Sequence, residues 1–256
     1  MVLDDLLTEL RENILHDRSD LVAGTSDRLW SDVTLVKYID EAQRRFARRT
    51  LCITDGTTPQ FTQITTVTGQ SQYTLDPVVV AVKSARFDTD PLDLLRAGHS
   101  QFDTYRTPDD QFFDPLFLAR VPPGKPIAWA TDEETASDAK GSVGVVRLRL
   151  FPLPTPAFAG KVVRLRVCRL PKTRLTAGEL TAYPEIPEDY HIPMLDYAAY
   201  LALRIVDHEM GDPARASEFL RSFEAHVTEA RAEMLRKLFQ PHLWGFGRSG
   251  WTWQGN

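Results

Sequence analysis

Leu3, Leu6, Leu7, Leu10 and Ile14 recur at i, i+3, i+4, i+7 and i+11, a spacing that lays one apolar stripe along a first helix. A polar stretch from His16 to Leu29 leads to Trp30 and Ser31. Ser31 is placed to accept a bond from the free amides of a following turn, so it predicts the start of a second helix with Leu35, Ile39, Ala42 and Phe46 on its inner face. From Asp55 the period shortens to two. Ile64 to Val67 and Tyr73 to Leu75 flank Gly69-Gln70 and predict a hairpin. Further strands are expected at Val78 to Phe87, Ile127 to Thr131, Val143 to Phe151 and Val162 to Leu170. In the last two, Val146, Leu148 and Leu150 alternate with Arg147 and Arg149, and Val163, Leu165 and Val167 with Arg164 and Arg166. That predicts one buried face and one basic, solvated face. Thr131 to Gly141 reads as a polar loop, Leu92 to Tyr105 as a short helix, and Pro152, Pro154 and Pro156 as a stiff, non-helical connection.

After Pro184 the helical period returns. Ile192, Leu195, Ala199, Leu203 and Val206 form one stripe and Met194, Ala198, Leu201 and Ile205 another, so this helix is apolar on two sides and belongs at the centre of a bundle. Asp212 and Pro213 fit the cap and first residue of a last helix that buries Phe219, Phe223, Val227, Ala230, Met234 and Leu238. The pattern predicts an α+β protein. Two N-terminal and two C-terminal helices (1–52 and 184–240) form an antiparallel bundle that brackets an antiparallel β-rich insert (53–183), and an extended tail follows (241–256).

The tail PHLWGFGRSGWTWQGN carries Trp244, Phe246, Trp251 and Trp253 among four glycines. Glycine opposes helix, no strand-length alternation is present, and large aromatics without a core mark an interaction site, with Arg248 among them. Burying the four rings is worth about 15 to 25 kcal/mol. Ordering the segment costs about 1 to 2 kcal/mol per residue, a similar sum. One such tail binds weakly; many tails presented together bind well.

Composition narrows the functional classes. The 43% hydrophobic and 25% charged fractions are ordinary for a globular chain, and the formal charge of -5 supplies no global attraction to nucleic acid. Cys52 and Cys168 are the only cysteines, too few for a disulfide framework or a sulfur-rich metal site, which fits a reducing compartment. The opening MVLDDLLTEL is acidic and amphipathic, unlike a signal peptide. The longest apolar run, Tyr197 to Val206, is interrupted by Arg204 and falls short of the roughly 20 residues that span a bilayer.

Candidate chemistry is sparse. Asp207, His208 and Glu209 are adjacent, and neighbouring helical positions diverge by about 100°, which disfavours a shared metal ion. Glu188, Asp189 and His191 fall in a first helical turn, where carboxylates complement the dipole; a hydrolase using Glu188 and His191 is the catalytic alternative. No Gly-rich phosphate loop, HExxH or GxSxG occurs, so neither an enzyme activity nor a cofactor nor a metal is expected. Arg44 and Arg48 share one helix face and Arg45 and Arg49 another, which offers a contact to a neighbouring subunit or to DNA.

The order of five segments carries a resemblance. WSDVTLVKYIDEAQRRFARRT (Trp30 to Thr50), TTVTGQSQYTLDP (Thr65 to Pro77), LFPLP (Leu150 to Pro154), VCRLP (Val167 to Pro171) and PEIPEDYHIPMLDYAAYLA (Pro184 to Ala202) resemble the head-to-tail adaptor proteins of short-tailed bacteriophages. That resemblance implies a structural virion protein, assembled in the host cytoplasm, forming a ring of twelve copies beneath the portal. It further implies a portal-embracing C-terminal extension, a lower face that receives the tail tube or nozzle, a channel through which DNA passes, and no membrane partner. Assigning Trp244, Phe246, Arg248, Trp251 and Trp253 to the portal contact is an inference from the tail's composition.

Overall fold

The computed structural model describes residues 1–17, 29–88, 90–97, 122–138, 141–204 and 212–238. The aromatic tail, the Asp207 to Glu209 triplet, and Ile205 and Val206 lie outside them. Helix and strand are segregated along the chain, as in an α+β protein. Two compact units result: Met1–Cys52 with Thr173–Asn256, and Ile53–Lys172.

In the first unit, α1 (Leu3–Thr8) continues directly into a π-helical segment, Glu9–Leu15. Leu3, Leu6, Leu7 and Leu10 are buried as their spacing predicts, but beyond them Leu15 is buried and Ile14 only half-buried. The wider π turn advances the inward face by one residue. The same shift turns Arg11 inward. Its guanidinium meets Asp17 at 2.5 Å, Asp32 at 2.5 Å and the Trp30 carbonyl at 3.0 Å, while Asp17 also accepts the Leu29 amide at 2.9 Å. Helix α2 (Asp32–Thr50) begins where the sequence places it: the Ser31 hydroxyl accepts the Thr34 amide at 3.2 Å. Leu35, Ile39, Ala42 and Phe46 are fully buried.

Helix α4 (His191–Leu203) packs against α1, α2 and α5 (Pro213–Leu238). Its alanines 198, 199 and 202 are fully buried, which permits this close approach on several sides. Ile192, assigned to an inner stripe from sequence, is 44% exposed, because it stands in the first turn, before the helix is enclosed. Asp212 caps α5, accepting the Arg215 amide at 3.0 Å. Phe46, Tyr197 and Phe223 form an aromatic cluster between α2, α4 and α5, with centroids 4.9 Å apart for Tyr197–Phe223 and 6.1 Å for Phe46–Phe223. Residues 173–182 are tied to the helices: the Leu3 and Asp4 amides bond Ala182 and Leu180 at 2.9 Å, and the Leu175 amide bonds Asp40 at 3.0 Å.

The second unit holds two four-stranded sheets. In the first, β8 (Val162–Arg169) is flanked on one side by β1 (Thr54–Asp55) and β2 (Gln63–Thr65) and on the other by β4 (Val79–Phe87), all antiparallel to it. A one-turn helix α3 (Pro59–Thr62) joins β1 and β2. In the second sheet the order is β3 (Gln72–Thr74), β7 (Gly141–Phe151), β6 (Ala128–Asp138), β5 (Leu95–Arg96), with only β5 and β6 parallel. Val82, Phe87, Val163, Leu165 and Val167 from the first sheet and Phe61 from α3 share one core with Tyr73, Trp129, Leu148 and Leu150 from the second sheet.

Four segments of this unit depart from the local pattern of their sequence. The strands either side of Gly69 do not pair as a hairpin: β2 joins β8 and β3 joins β7, so the turn carries the chain from one sheet to the other. Gly69 has φ +72°, and the Tyr73 hydroxyl accepts the Val67 amide at 3.0 Å, which holds the corner. Thr131 to Gly141 is largely strand, because an eleven-residue antiparallel ladder with β7 outweighs the weak strand propensity of its acids. The described part of Leu92 to Tyr105 contains β5, not helix. The proline-rich connection includes a single 3₁₀ turn, Pro156–Phe158, with proline at its permitted first position.

Candidate functional site

Alternation places Arg164 and Arg166 of β8 opposite the core residues Val163, Leu165 and Val167, and both are exposed. Register then adds a third cation. Arg86 of β4 lies directly across from Arg164, and Ser84 directly across from Arg166, so the three arginines and Ser84 share one face. On the far side of β8, Gln63 stands opposite Arg164, and Thr54 borders the same surface. Arg86, Arg164 and Arg166 line an open groove of about 660 Å³ with Ser84, Thr54 and Asp93.

The nearby carboxylates are mostly engaged by other cations. Asp88 meets Lys161 at 3.1 Å, Asp90 meets Lys125 at 2.6 Å, and Asp55 meets Arg169 at 2.8 Å. Three arginines set against Asp93 leave the groove lining two positive charges in excess. Cross-strand neighbours stand about 5 Å apart and alternate residues along a strand about 7 Å, so the guanidinium forks form a compact array suited to carboxylate or phosphate oxygens.

The groove's margin is fixed by Asp55. Burial alone would raise this carboxyl, but the Thr58 and Thr57 amides, Arg169 and the Thr58 hydroxyl together hold it well below the usual carboxylate range. Asp55 thereby stitches β1 and the start of α3 to β8.

The helical arginines separate into two groups. Arg49 pairs with Glu224 of α5, and that bond raises Arg49 and lowers Glu224. The Arg45 guanidinium sits 4.9 Å from the centroid of the Tyr197 ring. Both are therefore engaged within their own unit. Arg44 is half-buried and lowered by burial and by repulsion from Arg174, while Arg48 is exposed.

Glu188 is exposed and accepts the N-terminal ammonium at 2.9 Å. His191 is buried, with Nε2 3.1 Å from the Ile186 carbonyl, and burial lowers its pKa. The ring therefore bonds the backbone at Nε2, and Nδ1 has no hydrogen-bond partner among the described residues. Trp244, Phe246, Arg248, Trp251 and Trp253 lie outside the described residues. Among the described residues no group of three or more His, Cys, Asp or Glu is placed to hold a metal, and no helix is long and apolar enough to cross a membrane.

Sequence reading found the β8 arginines as a solvated face but missed Arg86. Its signal was the phase of Ser84 and Arg86 against Ala85 and Phe87. On β7 the basic face is half-buried rather than solvated: Arg147 and Arg149 stand between two neighbouring strands, opposite Asp132 and Ala130 of β6 and Thr74 and Gln72 of β3.

No curated protein matches the chain. The family model described as SU10 adaptor protein matches residues 1–241, which takes in the described parts of both units and stops before the aromatic rings of the tail. A match of that extent covers the helices and both sheets, and the chain accordingly belongs to the SU10 adaptor protein family, the family of a phage structural adaptor.

Proposed function

We propose that this protein is the head-to-tail adaptor of a phage virion, assembling as a ring of about twelve copies between the portal and the tail tube or nozzle. Head-to-tail protein contacts close into rings of this kind when the rotation between neighbouring copies permits. The observation that carries the reading is the family match over residues 1–241, spanning helical unit and sheets alike. The tail, Trp244, Phe246, Arg248, Trp251 and Trp253, docks on the portal. Its support is its composition, together with its position after the family-matched body. Arg44 and Arg48 are the members of the helical cluster open to a neighbouring subunit or to DNA in the channel, since Arg45 and Arg49 already have partners.

Negative-stain imaging of the full chain mixed with its portal protein tests the reading. A ring capping the portal is the expected result, and a chain that leaves the portal bare overturns it. A chain ending at Gln240 keeps a folded body and loses attachment; undiminished attachment by that shortened chain removes the tail from the joint while leaving the ring intact.

A further inference from the structure

Arg86, Arg164 and Arg166 are exposed, and among the described residues none of the three is held in an ion pair. Their groove does not end with them. Past Arg86 and Arg164 it runs on into a hollow of about 360 Å³ that reaches Asp88, Asp90 and Pro91. The two aspartates there are neutralised by Lys161 at 3.1 Å and Lys125 at 2.6 Å. At the other end Lys83 donates to the lining residue Thr54 at 2.6 Å. Three lysines and three arginines against Asp88, Asp90 and Asp93 leave an excess of three positive charges along one continuous surface.

The chemistry of the lining selects the occupant. Leu165 is the one apolar side chain among the described residues of the main groove, it is buried, and no aromatic ring is among them. A protein partner anchors through aromatic and aliphatic side chains seated in pockets, which this surface does not offer. A nucleic-acid single strand calls for aromatic platforms under its bases. An RNA duplex is gripped in part through its 2′-hydroxyls, which call for acceptors as well as donors, whereas arginine only donates. Guanidinium forks beside the hydroxyls of Ser84, Thr54 and Thr57 are the donor set that meets DNA phosphate oxygens. We infer that the groove of Arg86, Arg164 and Arg166 binds the phosphate backbone of duplex DNA without regard to base sequence. The formal charge of -5 opposes DNA at a distance, so the contact is short-range and strongly salt-dependent. The inference does not depend on the adaptor ring, because the groove lies wholly within the Ile53–Lys172 unit of a single copy.

Fluorescence anisotropy of a labelled DNA duplex of about 20 base pairs, titrated with the full chain from about 20 to about 200 mM salt, reads the contact directly. Three phosphate contacts at about 0.9 each predict a slope of log K against log salt of about -2.7. Arg164→Gln/Arg166→Gln should flatten that slope by about 1.8 and weaken binding about tenfold or more at the lowest salt. Arg86→Gln, on the neighbouring strand, should flatten it by about 0.9. All three side chains are exposed, so circular dichroism of the variants should match the unmodified chain. Duplexes of unrelated sequence should bind equally. The inference is overturned if the chain binds no duplex at the lowest salt, if the groove variants keep the full slope, or if the slope falls with Arg44→Gln/Arg48→Gln instead. It is equally overturned if an RNA duplex binds about tenfold more tightly than DNA, or if poly-glutamate displaces the DNA at equal charge concentration, the mark of a site for an acidic polypeptide. Portal capping is read separately by imaging, so failure here leaves the adaptor role standing.

Discussion

Helix α5 is 26 residues long, yet among its described side chains only Ala216, Phe223, Val227 and Ala230 are buried, while Phe219 and Met234, expected on the inner face, are half-buried. Two of the four contribute only a methyl group, so Phe223 is the largest side chain this helix buries completely. Its ring is fully buried, 4.9 Å from Tyr197 and 6.1 Å from Phe46 at 64°, an edge-on packing worth about 0.5 to 1.5 kcal/mol per pair beyond area alone. Phe223→Ala should cost about 3 to 5 kcal/mol. Because α5 is the last helix before the tail, the loss should appear as local opening rather than uniform destabilisation. Native-state hydrogen exchange read by mass spectrometry should show protection across Pro213 to Leu238 falling about a hundredfold to several thousandfold, the factor corresponding to that free energy. Protection of β8, in the other unit, should stay within about threefold by the same additivity of separate sites. Phe223→Leu, which keeps most of the volume, should cost about 1.5 kcal/mol or less. A loss below about tenfold in α5, or an equal loss in β8, would refute the view that one aromatic anchor holds this helix.

Asp55→Ala should lower the stability of the sheet unit by about 3 to 5 kcal/mol, since Arg169 and two amides lose their acceptor, and a double-mutant cycle with Arg169→Met should return a coupling above about 1 kcal/mol. Chemical denaturation measures both, and additive losses would refute the pairing. His191 titrates below an ordinary imidazole because it is buried; its neutral form therefore favours folding, and that contribution is present above about pH 6.5 and is lost as pH falls below it toward the folded-state value. Melting temperatures from pH 7.5 to about 5 should fall less steeply in His191→Gln than in the unmodified chain, and identical slopes would exclude the histidine. Arg49→Ala should cost under about 1 kcal/mol, because the Arg49 and Glu224 side chains are 34% and 40% exposed, whereas Arg11→Met should cost about 3 to 5 kcal/mol by leaving Asp17 buried without its cation. Equal effects in thermal melts would remove the burial argument.

Local chemistry was legible wherever one residue type decides the outcome. Ser31 and Asp212 cap the helices their positions predicted, and the alternation around Leu148 and Leu165 named the buried faces of β7 and β8. Long-range pairing was not legible. The segments around Gly69 carry a hairpin signal, but either strand can satisfy its edges elsewhere, and the longer β7 and β8 ladders claim one each. The acidic run in β6 reads as a loop until its eleven-residue partner is known. Leu15 is exchanged for Ile14 because a π turn leaves no periodic trace in seven residues. The candidate groove divides in the same way: Arg164 and Arg166 are visible as a phase within β8, but Arg86 joins them only through the β4 register.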